Sequence, residues 1–94
     1  MEAYKQFGAS KVYVTVRTDF LSDGTMLPRI LKWEDGRKYR IDEILNVAPA
    51  AAQKAGGFGD RYTVLICGKQ CYLFFERNKG DRGGAIGRWF VERR

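Results

Sequence analysis

From Lys11 to Phe20 the side chains alternate: Val12, Val14 and Val16 fall on one side of the chain, Tyr13, Thr15 and Arg17 on the other. A repeat of two with β-branched residues on one face fits a pleated strand lying half-buried on a core. A helix would scatter the same valines around its axis. Similar short apolar stretches recur down the chain, separated by glycines at Gly24, Gly36, Gly56-Gly57, Gly59, Gly68, Gly80 and Gly83-Gly84. Many short strands joined by turns follow from that punctuation.

The pattern predicts strands at Lys11–Phe20, Leu27–Glu34, Lys38–Leu45, Arg61–Cys67, Cys71–Arg77 and Arg88–Glu92. Pro28 has no N–H to give a ladder, so it belongs near the start or edge of the second strand. Turns fall at Ser22-Asp23-Gly24-Thr25, at Glu34-Asp35-Gly36-Arg37 and at Gly68-Lys69-Gln70. Asp-Gly adopts the positive φ that a tight hairpin needs. Between the third and fourth strands, Pro49-Ala50-Ala51-Ala52-Gln53-Lys54-Ala55-Gly56 suits one short helix over about 49–55, with proline first and glycine just past the end. A helix running from Asp42 to Ala55 competes with this, but Pro49 would break its middle. The fold expected is therefore mainly β: a small six-stranded antiparallel barrel of the SH3-like or OB-like kind, with at most one short helix. A length of 94 residues holds one such domain, expected over 11–94 behind a flexible lead-in at 1–10.

The composition excludes several chemistries. The chain has no histidine, so the commonest acid–base catalyst and metal ligand is absent. Two cysteines cannot build a four-ligand zinc site within one chain. Cys67 and Cys71 read as reduced thiols flanking a turn, or as a cross-strand disulfide or redox pair, although their spacing is not Cys-x-x-Cys. The acids Asp42-Glu43 and Asp19…Asp23 show no buried partner, so no catalytic residues, metal or small-molecule cofactor are expected. The glycine-rich segments 56–61 and 80–84 lack the strand–loop–helix setting of a phosphate cradle and read as connectors. No apolar run has the length of a membrane helix or a secretion signal, which points to a cytoplasmic protein without a membrane partner.

The formal net charge is +6, and most of the excess lies beyond residue 60. Lys69, Arg77, Lys79, Arg82, Arg88, Arg93 and Arg94 could meet a polyanion if they converge beside an exposed aromatic ring. The nucleic-acid candidates are Arg77, Lys79, Arg82 and Arg88 for charge, with Phe58 and Trp89 for stacking. A solvated basic surface is the plainer alternative. Cys71-Tyr72-Leu73-Phe74-Phe75 is apolar on both faces, so Tyr72 and Phe74 are either covered by the 49–59 segment or form a homodimer or protein interface.

Trp33-Glu34-Asp35-Gly36-Arg37-Lys38-Tyr39-Arg40-Ile41 reads as a hairpin whose Trp33 and Tyr39 belong to the core, or else as a stacking platform flanked by Arg37, Lys38 and Arg40. The pattern Pro28…Trp33-x-x-Gly36-Arg37-x-Tyr39-x-Ile41 resembles short bacterial proteins of unknown function, some of them encoded near translesion DNA polymerases. It differs from that form by one residue between Trp and Gly-Arg. The resemblance implies a link to DNA-associated systems and supplies no catalytic residue. The function expected is a non-catalytic accessory binding module, with DNA or RNA as ligand and a protein partner or second copy as the alternative.

Overall fold

The alternation at the start of the chain becomes β1 (Ser10–Phe20), in a computed structural model that describes residues 10–51, 58–78 and 86–93. It is followed by β2 (Met26–Lys32), β3 (Lys38–Arg40), β4 (Glu43–Ala51), β5 (Phe58–Ile66), β6 (Lys69–Arg77) and β7 (Gly87–Arg93). All pairings are antiparallel, and the strands form one sheet in the order β3-β2-β1-β7-β6-β5-β4. The mainly β, barrel-like fold is as the sequence implies, and no helix occurs among the described residues.

Three details differ from expectation. The strand count is seven among the described residues, because the stretch expected as one third strand turns at Ile41-Asp42 and resumes as β4. The short helix expected over 49–55 is absent at its start: Pro49, Ala50 and Ala51 are the last residues of β4, and 52–55 lie outside the described residues. A helix of two turns is marginal, whereas pairing with β5 satisfies the backbone at once. Pro49 is tolerated because β4 is an edge strand. The sheet, finally, is a curled half-barrel rather than a closed wall.

The curl has two sources. β1 pairs with β7 over Ser10–Val14 and with β2 over Thr15–Phe20, with a bulge at Arg17/Thr18, so one long strand serves both halves of the bend. At the corner, the Ile41 amide donates to the Arg29 carbonyl of β2 (2.8 Å) and the next amide, Asp42, donates to the Leu65 carbonyl of β5 (2.8 Å). These two hydrogen bonds draw the sheet's two ends toward each other.

Inside the curl lie Leu31, Ile41, Tyr62, Val64, Leu73, Phe75 and Trp89. Trp89 meets Tyr62 and Phe75 edge-on, with centroids 5.1 and 4.9 Å away. The Tyr62 hydroxyl donates across the interior to the Met26 carbonyl (3.4 Å), and burial pushes its phenol above the usual tyrosine range. Trp33 and Tyr39 pack against this core, in line with the structural reading of their hairpin.

The β1–β2 and β2–β3 connections share one turn. In Leu21-Ser22-Asp23-Gly24-Thr25 and Trp33-Glu34-Asp35-Gly36-Arg37 the glycine amide donates back three residues (2.9 Å in both), and φ is +93° at Gly24 and +92° at Gly36. In each, an Asp carboxylate accepts from the backbone amide two residues on. A Cβ at Gly36 would touch nothing within 4 Å, so only the left-handed backbone resists a larger residue. Gly36→Ala should therefore lower the unfolding free energy by about 1–2 kcal/mol, read as a lower denaturant midpoint with an unchanged slope.

Candidate nucleic-acid interface

The register fixes what the outside of the sheet displays. Tyr13 of β1 stands opposite Phe90 of β7, Phe90 opposite Phe74 of β6, and Phe74 opposite Arg61 of β5. All four side chains point away from the core, as do Lys11, Arg88, Tyr72 and Glu76, which lie two residues along their strands. Phe74 and Phe90 stack nearly parallel, 5.0 Å between centroids and 8° between planes. Tyr13 meets Phe90 edge-on at 5.9 Å. Cations lie over these rings: Lys11 is 4.8 Å from the Phe90 centroid, Arg61 4.9 Å from Tyr72 and Arg88 3.9 Å from Tyr13. Phe90 is thereby 4% exposed although it faces outward, whereas Tyr13 and Tyr72 remain 41% and 49% exposed.

Glu76 is the electrostatic hub of this face. Its carboxylate accepts from Lys11 Nζ (2.7 Å) and from the Tyr13 hydroxyl (3.3 Å), and Arg88 lies 3.6 Å away. The Lys11 hydrogen bond, first among these contacts, holds the Glu76 carboxyl below the usual range for glutamate against an opposing effect of burial. Glu76 thus takes both Lys11 and Arg88, and Glu92 stands opposite Lys11. The face is cationic and aromatic, with Lys11 and Arg88 tied to Glu76.

The sequence candidates divide between the two faces. Arg88 lies in the cluster, on the face that also carries the interface candidates Tyr72 and Phe74, so one face unites part of both expectations. Arg77 lies on the opposite face, where its guanidinium donates to Asp60 (2.9 Å). Trp89 is 8% exposed and wedged into the core, so its indole is not available for stacking; the exposed rings of the outer face are Tyr13 and Tyr72. Phe58 is the first residue of β5. Lys79 and Arg82 lie outside the described residues. Lys11, Tyr13, Arg61 and Glu76 were missed, although Lys11 and Tyr13 carry the outward half of the alternation that identified β1.

A second feature opens where the sheet divides. β6 pairs with β7 only over Phe74–Arg77 and Gly87–Phe90; beyond that, β6 continues with β5 and β7 with β1. The strands part around an apolar cleft of about 520 Å³, floored by Leu31, Trp33 and Tyr39 and walled by Cys71, Tyr72 and Val91. Cys67 and Cys71 also line it as free thiols. Cys67 sits at φ +52° in the β5–β6 turn, its amide held by Asp42 Oδ2 (3.2 Å), and the Cys71 thiol donates to the Lys69 carbonyl (3.7 Å). Among the described residues no group of three or more acidic or thiol side chains could hold a metal, and no helix is long and apolar enough to cross a membrane.

Compared with protein-family models, with curated proteins and with solved structures, the chain matches none.

The lowered pKa of Glu76 carries a signed consequence. Its ion pairs contribute stability above the ordinary glutamate pKa, and that contribution is lost as pH falls through the lower pKa of the folded state. Glu76→Gln should be less stable than the parent at neutral pH, and the difference should shrink below about pH 4. Denaturant titrations of the two proteins across pH 3–7 read this directly.

Proposed function

We propose that this chain is a non-catalytic, cytoplasmic accessory module that binds nucleic acid through the outer face of its sheet. The observation that carries the reading is the interleaving of Lys11, Arg61 and Arg88 with Tyr13, Tyr72, Phe74 and Phe90 across β1, β7, β6 and β5. Cations supply phosphate contacts and ring faces supply stacking, and a sheet that offers both side by side suits a polyanion with planar bases. The net charge of +6 favours approach to such a ligand. The resemblance of the Trp33–Ile41 segment to short bacterial proteins of unknown function, some of them encoded near translesion DNA polymerases, points the same way. The lack of histidine leaves no general acid–base pair of the usual kind to support an enzymatic reading.

A homodimer is the second reading. It draws on the exposed apolar side chains Leu45 and Val47 of β4 and on Tyr72 of β6. Light scattering at high concentration separates the two: a monomer that binds DNA removes the dimer, and a dimer with its outer face buried removes the nucleic-acid reading.

The direct test is anisotropy of fluorescein-labelled DNA. With three cations meeting phosphates, affinity should fall about ten- to fiftyfold over a fourfold rise in salt. The double charge reversal Arg61→Glu with Arg88→Glu should abolish binding. Arg77→Gln, on the other face, should leave it unchanged. Binding indifferent to both salt and the double reversal would overturn the proposal.

A further inference from the structure

We infer that the ligand is single-stranded, its bases stacking on two guanidinium-capped tyrosines, Arg88 over Tyr13 and Arg61 over Tyr72; this rests on the nucleic-acid reading above. At 3.9 Å from the ring centroid, the Arg88 guanidinium is in van der Waals contact with Tyr13, and its side chain is 58% exposed. A guanidinium lying on a ring offers a second flat side on which a base can stack. The same arrangement at Tyr72 is looser, at 4.9 Å, and there the Arg61 Nε is buried without a hydrogen-bond partner. A buried donor without a partner is unfavourable, and movement of this guanidinium toward a phosphate oxygen breaks no bond at that atom.

Three features argue against a duplex. The first is charge: three cations partly held by Glu76 are few for a ligand whose affinity comes from phosphate neutralisation. Stacking of bases on the rings supplies what the charges lack, and it is open only to unpaired bases. The second is shape: the outside of a curled sheet is convex, and the described residues include no helix to enter a major groove. The third is spacing. Tyr13 and Tyr72 are two strands apart and offset by two residues, and β6 and β7 part beyond Phe74 and Phe90, so at least ~12 Å separates them at ~4.8 Å per strand and ~3.4 Å per residue. Bases splayed along a flexible strand can reach both platforms, whereas duplex bases stay stacked about 3.4 Å apart with their faces covered.

The test compares a fluorescein-labelled oligothymidylate of about twenty nucleotides with a duplex of the same length, at equal salt and in the full chain. The oligothymidylate should bind at least about tenfold more tightly. Arg88→Lys keeps the charge and removes the plane, so it should weaken oligothymidylate binding about threefold to tenfold with the salt slope unchanged. Tyr72→Leu, at an exposed position, should weaken it comparably, with circular dichroism confirming the fold. A duplex bound as tightly, or an Arg88→Lys variant equal to the parent, overturns the single-strand assignment while the nucleic-acid reading stands. Failure of both probes to bind at low salt overturns both.

Discussion

Two consecutive backbone amides hold the two ends of the sheet. Ile41 donates to β2 and Asp42 to β5, each one strand in from an opposite end of the strand order. A seven-stranded antiparallel ribbon could otherwise remain an open twisted sheet with one wet side. Drawing its ends together encloses one face, and that face must then be filled at the density of a protein interior. Val64 and Leu73 are almost wholly enclosed, and Trp89 fills the space between Tyr62 and Phe75. Asp42 contributes twice, because its carboxylate also holds the Cys67 amide of the left-handed β5–β6 turn.

The enclosed face accounts for the open one. Once β6 and β7 are committed by Phe75 and Trp89 inside, strict alternation sends Phe74 and Phe90 outside. Two phenyl rings on a solvated surface are unfavourable, and the cluster answers this locally by stacking the rings on each other and laying Lys11 over Phe90, while Arg61 and Arg88 cover the neighbouring Tyr72 and Tyr13. The long aliphatic stems of these residues cover apolar surface while their charged heads stay in water. Glu76 then fixes two of the heads. The chemistry proposed for this face thus grows from the same alternation that builds the core.

Much of this was legible in the sequence, and the gaps have physical reasons. β1 was visible because its alternation is regular, β2, β5, β6 and β7 because short runs of β-branched and aromatic residues stand between turn residues, and the paired Asp-Gly turns because their backbone demand is specific. β4 was obscured: Ala-Pro-Ala-Ala carries neither period, and its strand form comes from pairing with β5, a tertiary effect. The choice between Trp89 and Phe90 turned on one residue of register, which adjacent aromatics do not reveal. Arg77 and Arg88 look alike in the chain, yet the pairing sends them to opposite faces. Lys11 and Glu76 are 65 residues apart, so their contact was invisible to any local pattern.

The two free margins of the sheet bear on behaviour in concentrated solution. β3 is three residues long and flanks its tyrosine with the exposed cations Lys38 and Arg40. β4 is longer, but Pro49 lacks the donor that an incoming strand would need. Beside the corner, the amides of Ile41 and Asp42 are already engaged. Neither margin is an uninterrupted template, so the fold discourages growth of cross-β fibrils by the addition of one molecule to the next.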